Sequence, residues 1–338
     1  MRYPAPLKPG DTIAVPAISS GVDAPFWPRL DYVLEGLKQR GFQVREGDSL
    51  RKQGLVSASP EARANELMAL LLDETVAAIM PPWGGDFALD LLPHLDFDAL
   101  ASAAPKWLTG FSDISTISAV LSYRCQWATM HCANLMQLGI NDRSAQVEQV
   151  FTALNLSLGQ QLQQRSSQYY QATHPNYRTH PKAVFKGDMP TRTRMLSGSH
   201  SAQFAGRLIG GCADTLFPLL CSSLLNLKQW RAHNNQGVIL YLENAELSPA
   251  QFARGLLAVR ATGGLENLSG IIFGRSLCLG QGDFSYYDAL DYALQGVACP
   301  VVIDADIGHV APNWVMINGA DTECEFKQGE LSLVQHYR

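Results

Sequence analysis

The N-terminal part of the chain alternates short apolar runs with longer amphipathic stretches. Apolar runs of this length predict buried strands, and apolar positions spaced three and four residues apart predict helices. The predicted strands cover residues 12–18, 43–45, 76–80 and 106–109, and the predicted helices cover residues 27–40, 60–73, 87–91 and 114–123. Strands that alternate with helices predict an α/β domain whose mostly parallel sheet is covered on both faces, as in flavodoxin-like or Rossmann-like folds.

A second region of the same kind follows a polar segment with little periodicity. That segment, residues 155–206, predicts a connector or a lid. Beyond it, strands are predicted at residues 237–242, 270–273 and 301–303, and helices at residues 215–221, 249–262 and 286–294. We therefore divide the chain into an N-terminal α/β domain (1–154), the connector (155–206) and a C-terminal β/α domain (207–338). Ligands of such sheets bind at the carboxyl ends of the strands, so the active site is expected between the two domains.

Composition and charge narrow the classes of function. The 338 residues are 46% hydrophobic and carry a formal net charge of −5, without a long run of lysine or arginine. This charge gives no electrostatic footprint for nucleic acid, so we predict no nucleic-acid partner. Apolar stretches fall far short of the roughly 20 residues of a membrane span, and no membrane association is predicted. The N-terminus lacks the apolar core of a signal peptide, which favours a cytoplasmic location.

The cysteines and histidines do not form a metal-binding pattern. Seven cysteines are scattered without a Cys-x-x-Cys pair, which is typical of reduced thiols rather than a disulfide framework or a zinc site. His174 and His180 stand in the polar connector, without acidic or cysteine ligands clustered nearby. We therefore predict no metal and no cofactor.

A serine stands where a predicted strand meets a predicted helix. Ser112 lies in the stretch Gly110-Phe111-Ser112-Asp113-Ile114. A sharp turn at this junction would lift its side chain out of the sheet, and the free N–H groups of the next helix could hold an oxyanion. A serine followed by an aspartate is also a common helix cap, so this segment alone leaves two interpretations, a nucleophile and a cap.

Two further candidates follow strands of the C-terminal region. Glu243 ends the strand predicted at 237–242, and His309 follows the strand predicted at 301–303. A serine hydroxyl needs an imidazole to take its proton, and the imidazole needs a carboxylate to fix its tautomer. Each residue also has a plain structural interpretation, since Glu243 could pair with an arginine and His309 could cap a turn. Their separation along the chain does not decide between these roles.

Several motifs resemble those of a known family in their order and spacing. They are Leu7-Lys8-Pro9-Gly10-Asp11, Gly84-Gly85-Asp86, Leu91-Leu92-Pro93-His94-Leu95-Asp96, Gly110-Phe111-Ser112-Asp113-Ile114-Ser115, Leu208-Ile209-Gly210-Gly211, Leu242-Glu243, Gly270-Ile271-Ile272-Phe273-Gly274-Arg275 and Asp306-Ile307-Gly308-His309. Over nearly the whole chain, this series resembles the LD-carboxypeptidases and the related microcin C immunity peptidases.

The resemblance implies a serine peptidase with a Ser-Glu-His triad. In this sequence the triad positions hold Ser112, Glu243 and His309. The resemblance also implies an oxyanion hole made by the backbone N–H groups of Gly85 and Asp113. It further implies substrate contacts at Gly84 and Asp86, and a homodimer. The expected substrate is a small peptide-like molecule.

Two substrate classes stay open, one for each branch of the family. Gly84-Gly85-Asp86 and Phe273-Gly274-Arg275 look more like the immunity peptidases, which favours a peptidyl or aminoacyl amide over an L,D-bond of a muropeptide. No tryptophan occurs between Trp127 and Trp230, whereas nucleotide-processing members of that branch stack the base on a connector tryptophan. The alternative function is a catalytically silent protein that binds a peptide or cell-wall fragment on the same scaffold.

Three departures from the family pattern lie near the expected pocket, at Cys132, Cys212 and Asn244. Among the remaining polar residues, we interpret His131 as a buried structural histidine. We expect the side chain of Asp113 to cap its own helix.

Overall fold

The computed structural model describes residues 1–232, 234–280 and 282–338. The strands are β1 (Thr12–Val15), β2 (Gln43–Glu46), β3 (Val76–Ile79), β4 (Trp107–Leu108), β5 (Thr129–His131), β6 (Gln161–Arg165), β7 (Tyr169–Tyr170), β8 (Met189–Pro190), β9 (Arg194–Met195), β10 (Ser201–Cys212), β11 (Val238–Glu243), β12 (Gly270–Gly274), β13 (Val301–Ala305), β14 (Met316–Asn318), β15 (Asp321–Lys327) and β16 (Glu330–His336). The α-helices are α1 (Trp27–Gln39), α2 (Pro60–Leu72), α3 (Phe97–Ser102), α4 (Ile114–Cys125), α5 (Ala145–Asn155), α6 (Ala213–Leu220), α7 (Leu227–Ala232), α8 (Pro249–Ala261) and α9 (Tyr286–Ala293). Within these described ranges, no helix combines the length and the apolar composition that crossing a membrane requires.

The N-terminal sheet is parallel, as the alternating pattern predicts. Its strands lie in the order β2-β1-β3-β4. The two central strands are apolar and almost completely buried, because helices cover both faces of the sheet. The short strand β4 leads directly into the turn that carries Ser112.

The C-terminal sheet combines a parallel centre with antiparallel flanks. Its order is β6-β16-β15-β10-β11-β12-β13-β9, and neighbouring strands from β10 to β13 run parallel. The carboxyl ends of β11 and β13 therefore lie at the same edge, where polar residues that follow them can meet. The two sheets confirm the predicted fold class, a parallel N-terminal domain followed by a β/α domain.

The two domains are joined through a shared core and through hydrogen bonds. Ile117 and Val120 of α4 belong to the same buried apolar cluster as Leu216 and Leu220 of α6. Strand β5 of the N-terminal region pairs antiparallel with β14 of the C-terminal region. These contacts fix the carboxyl edges of the two sheets relative to each other.

Two predicted elements differ in extent or type from the observed ones. The first strand ends at Val15 rather than at residue 18, because Pro16 has no N–H for the strand ladder. The predicted helix at residues 87–91 is a 3₁₀ helix, Ala88–His94, that contains Pro93. Proline removes an intrahelical hydrogen bond and clashes with the preceding turn, so a regular α-helix does not form there.

The segment predicted as a connector contributes strands β6 and β9 to the two edges of the large sheet, and β10 begins within it. Strand β6 pairs antiparallel with β16 and alternates exposed and buried residues. One of its buried positions is Gln164, whose amide accepts from the N–H of Val315 and donates to the carbonyl of the same residue, both at 2.8 Å. The hydrophobic pattern is weak here because a paired glutamine occupies a position where an apolar residue is usual.

Candidate active site

Ser112 lies on a strained turn between β4 and α4. Its φ is 65°, in the left-handed region that residues other than glycine rarely adopt, at a cost of about 1–3 kcal/mol. Hydrogen bonds hold the turn on its N-terminal side: the N–H of Gly110 donates to the carbonyl of Met130, and the N–H of Phe111 donates to Oδ1 of Asn134 at 2.9 Å. The turn directs the serine hydroxyl away from the N-terminal sheet toward the C-terminal domain.

The C-terminal domain brings an imidazole and a carboxylate to this hydroxyl. Nε2 of His309 lies 3.1 Å from Oγ of Ser112, and Nδ1 of His309 lies 2.8 Å from Oε2 of Glu243. Glu243 is the last residue of β11 and is fully buried, while the His309 side chain is 19% exposed. The structure therefore brings together the three residues that the sequence singled out, in one hydrogen-bonded chain across the domain boundary.

A glycine makes the close approach of histidine and glutamate feasible. Gly308 has a φ of 95°, and a Cβ at this position would overlap the carboxylate of Glu243. Only glycine adopts this conformation without strain and leaves the space free. The loop after β13 can therefore place the backbone and the ring of His309 against the same carboxylate oxygen.

The interaction of His309 with Glu243 favours the protonated imidazole, and this effect is larger than the opposing effect of burial. Burial alone would lower the pKa of His309, but the charge of Glu243 and its hydrogen bond raise that pKa above its usual value. Burial likewise tends to raise the pKa of Glu243, and the neighbouring imidazole outweighs this effect and lowers it. A buried carboxylate that stays ionised stabilises an imidazolium, which is the species that forms when the ring takes a proton.

The turn that contains Gly84 packs directly on the serine. A Cβ at Gly84 would lie 2.7 Å from the backbone nitrogen of Asp113 and 2.9 Å from Oγ of Ser112. The backbone N–H groups of Gly85 and Asp113 have no hydrogen-bond acceptor within the described ranges. Asp86 is exposed and stands outside the Ser112–His309–Glu243 chain.

The side chain of Asp113 does not cap its helix, which corrects the sequence-based expectation. Its carboxylate accepts from the Ser19 hydroxyl at 2.7 Å, from the Ala88 N–H at 2.7 Å and from the Thr116 hydroxyl at 3.0 Å. Burial raises the pKa of this carboxyl, although the three hydrogen bonds oppose the effect. Asp113 thus ties the serine turn to the segment that follows Gly84, a role that its position before the helix did not indicate.

His131 lies buried beneath the site. It is 1% exposed, and neither ring nitrogen has a hydrogen-bond partner within the described part of the chain. Burial lowers its pKa to about 4, so the ring is neutral at pH 7. Its ring centroid lies 5.4 Å from that of Tyr241. It therefore fills space beside Ser112, His309 and Glu243 and is not part of their hydrogen-bonded chain.

Asp214 shapes the loop after Glu243 and was missed by the sequence reasoning. Its carboxylate accepts hydrogen bonds from the backbone N–H groups of Ala245, Glu246 and Leu247. Its place in the first turn of α6 was the available signal, because an acid there is often fixed by nearby N–H groups. The local sequence around Asp214 could not indicate which distant loop its carboxylate holds.

One group of side chains has ligand types that metals use. The ligand atoms of Cys212, Glu243 and His309 lie within 4.8 Å of one another. The Cys212 thiol is buried, and burial together with the nearby carboxylates raises its pKa well above the usual value. A metal needs the thiolate and would have to break the 2.8 Å hydrogen bond between His309 and Glu243, so this donor set is poorly prepared for an ion.

Comparison with known families finds two matching domain models. Residues 13–132 match the LD-carboxypeptidase N-terminal domain, and residues 205–324 match the LD-carboxypeptidase C-terminal domain. The two matches lie in the two domains that supply the serine and the histidine–glutamate pair. The chain belongs to the LD-carboxypeptidase family, which confirms the resemblance seen in its motifs.

Individual relatives extend over most of the chain. The chain is 25% identical to the microcin C7 self-immunity protein MccF of Escherichia coli over 342 aligned positions, which cover 98% of this chain and 96% of the relative. It is 24% identical to the probable murein peptide carboxypeptidase of Bacillus subtilis strain 168 over 274 positions, which cover 80% of this chain and 73% of the relative. The structure of MccF in complex with glutamyl sulfamoyl guanosine matches with a TM-score of 0.84 at 24% identity, covering 99% of this chain and 98% of that one. This last likeness shows the common fold.

Proposed function

We propose that this protein is a serine peptidase that hydrolyses an amide bond of a small peptide conjugate. The observation that carries the proposal is the continuous chain from the Ser112 hydroxyl through His309 to the buried carboxylate of Glu243. Both distances are within the hydrogen-bonding range expected of a nucleophile, its base and the group that orients the base. The strained backbone at Ser112 adds support, since backbone strain of this kind clusters at active sites.

In the proposed mechanism, His309 takes the proton of the Ser112 hydroxyl as the oxygen attacks the amide carbonyl. The imidazolium then gives the proton to the leaving amine, and an acyl-enzyme forms. The same histidine activates water, which hydrolyses the ester and regenerates the serine. Glu243 does not transfer a proton; it fixes the tautomer of the ring and stabilises its charge.

The oxyanion of the tetrahedral intermediate would be held by the N–H groups of Gly85 and Asp113. Neither donor has an acceptor among the residues that the structure describes, and the glycine turn lies against the serine side chain. Donors that are already oriented toward the developing charge need no reorganisation during the reaction. Gly84 and Asp86 then form the nearest substrate contacts on the N-terminal side.

The proposed substrate belongs to one of two classes. The relatives include a protein named for self-immunity to microcin C7 and one named as a probable murein peptide carboxypeptidase. The substrate is accordingly a peptidyl or aminoacyl amide of the microcin C type, or an L,D-linked muropeptide. In both cases the scissile bond is an amide that Ser112 can attack.

The test incubates the purified protein with an L,D-linked muropeptide and with an aminoacyl sulfamoyl-adenosine. We expect hydrolysis of one of them, and Ser112→Ala should lower kcat by about 10⁴- to 10⁶-fold with an unchanged circular dichroism spectrum and Tm. A serine-reactive probe gives a second measurement and should label Ser112 in a manner that depends on His309. Full activity in correctly folded Ser112→Ala protein would disprove the mechanism. Absence of both hydrolysis and labelling would favour a silent binding protein.

A further inference from the structure

A cavity lies on the C-terminal domain beside the loop that carries His309. Its volume is about 600 Å³, which is within the range of small-molecule sites. Asp304 and Val310 both line it, and His309 lies between them in the chain. The β7–β8 hairpin and the loop after β12 close its other sides. The proposed triad mechanism does not use this cavity.

Three arginines line the cavity, and two of them are held by carboxylates. Nη2 of Arg194 lies 2.6 Å from Oδ2 of Asp304, and Nη1 of Arg275 lies 2.6 Å from Oδ1 of Asp306. These ion pairs fix the two guanidinium groups in place and compensate their charge. Arg275 also donates from Nη1 to the carbonyl of Asp304 and from Nη2 to the carbonyls of Val310 and Pro312, so this guanidinium is a fixed part of the wall.

The third arginine supplies an uncompensated charge. Arg192 also lines the cavity and is exposed, and it makes no hydrogen bond or ion pair with any described residue. The wall therefore carries a surplus positive charge at the position of Arg192. Guanidinium groups match phosphate and carboxylate oxygens in geometry, so this surplus favours an oxyanion.

Flat and apolar surfaces surround these cations. The guanidinium carbon of Arg194 lies 4.5 Å from the ring centroid of Tyr287, and that of Arg275 lies 5.0 Å from the ring centroid of Tyr170. Three apolar side chains that line the same cavity are unusually exposed: Met189 at 44%, Leu277 at 41% and Leu279 at 50%. Apolar side chains gathered around polar groups in a concave site are typical of ligand binding.

We propose that this cavity binds the part of the substrate remote from the scissile bond, an anionic phosphate or carboxylate group joined to a flat or apolar body. This inference rests on the proposed function, because it assigns the cavity to the substrate that the triad cleaves. The shared segment from Asp304 to Val310 places the bound group next to His309 along the same strand edge. Arg192 attracts the anion, and the tyrosine and apolar walls hold the body to which it is attached.

The test measures binding without turnover, in the Ser112→Ala protein, by isothermal titration calorimetry. The probes are phenyl phosphate, benzoate, benzyl alcohol and inorganic phosphate. We expect one of the two aromatic anions to bind about tenfold or more tightly than benzyl alcohol, and also more tightly than inorganic phosphate, which lacks the ring. The preferred anion identifies the group as phosphate or carboxylate, and either preference supports the proposal.

Arg192→Gln in the Ser112→Ala background should lower the affinity for the preferred anion by about three- to tenfold. It should also make that affinity less dependent on salt concentration. The matched control is Arg254→Gln on α8, because Arg254 is also exposed and makes no hydrogen bond or ion pair within the described ranges. This control should bind the anion as the parent does. Equal affinity for benzyl alcohol, or an Arg192→Gln protein with unchanged affinity, would overturn the subsite.

The two proposals fail in different ways. The probes are not hydrolysed. Anion binding that depends on Arg192 therefore supports an anion site even if neither the muropeptide nor the aminoacyl sulfamoyl-adenosine is cleaved. Conversely, a panel substrate cleaved by a protein that binds no anionic probe contradicts the subsite and leaves the triad proposal intact.

Discussion

The two halves of the candidate site are built by different physical means. On the N-terminal side, the Ser112 turn is held by local geometry, with a φ of 65° at the serine and a glycine turn packed against its hydroxyl. On the C-terminal side, the position of His309 is set by its interaction with a buried carboxylate, Glu243. One half is defined by sterics and backbone hydrogen bonds, and the other by charge.

This difference indicates which changes each half tolerates. A steric arrangement fails when atoms are added, because a closely packed turn has no room to relax. An electrostatic arrangement fails when a charge is removed, even if the shape of the side chain is kept. Changes in size should therefore damage the serine side most, and isosteric changes in charge should damage the histidine side most.

Among the changes that test this comparison, the largest effect is expected from an isosteric change on the charged side. Glu243→Gln should lower kcat by about 10³- to 10⁴-fold, because the amide no longer stabilises the imidazolium or fixes its tautomer. It should also shift the pH profile. Since the proposed base acts only when neutral, wild-type activity should fall as the pH drops through the pKa of His309, which Glu243 raises above its usual value against the effect of burial. Without that charge, burial is opposed only by the weaker effects of Asp214 and Glu246, and the acid limb of kcat/KM should move to lower pH.

Glu246→Gln is the matched control for this shift. Glu246 is exposed and its charge also raises the pKa of His309, but more weakly than that of Glu243. Solvent screens an exposed charge, so the limb should move only slightly and kcat should stay within about twofold. An acid limb that stays in place in Glu243→Gln would contradict the electrostatic account of the histidine side.

A change in size tests the steric side. Gly84→Ala adds a Cβ 2.8 Å from Cβ of Ser112 and 2.7 Å from the nitrogen of Asp113, so it must displace the serine or the glycine turn. We expect kcat to fall by about 10²- to 10³-fold, the loss typical of a misplaced oxyanion donor. The measurement is kcat for the cleaved substrate, with Tm followed in parallel.

Gly139→Ala is the control for the added methyl group, because its nearest neighbour is the end of the Arg29 side chain at 3.3 Å. This variant should keep its activity. If Gly84→Ala keeps full activity as well, the turn is looser than the steric account requires.

The smallest effect is expected at Asp113, where shape and charge can be separated. Asp113→Ala leaves the buried N–H of Ala88 without an acceptor and removes bonds to Ser19 and Thr116, so it should cost about 2–3 kcal/mol of stability. Asp113→Asn keeps the size and can still accept from Ser19 and Ala88, so it should cost about 1 kcal/mol or less. Urea unfolding measures both. Equal losses in the two variants would show that the charge of Asp113, and not its hydrogen-bond geometry, holds the turn.

Much of the architecture could be predicted because the pattern that specifies it is local. The alternation of apolar runs and amphipathic stretches predicted the parallel strands around Ser112 and those that end at Glu243 and precede His309. Strand β6 escaped prediction because buried Gln164 satisfies its amide through Val315, a partner 151 positions away in the chain. The homodimer, the cytoplasmic location and the exact domain limits stay predictions.

By itself, the sequence determined the family, the fold class and the three candidate residues, since motif order and hydrophobic periodicity are properties of the chain alone. Tertiary structure decided the rest: that Nε2 of His309 lies 3.1 Å from the Ser112 hydroxyl, that Asp113 bridges two loops instead of capping its helix, and that Arg192 lines a cavity without a partner among the described residues. The physical reason is distance along the chain. Hydrogen bonds and ion pairs join residues that are far apart in the sequence, and the local hydrophobic pattern does not indicate which of them are in contact in the folded chain.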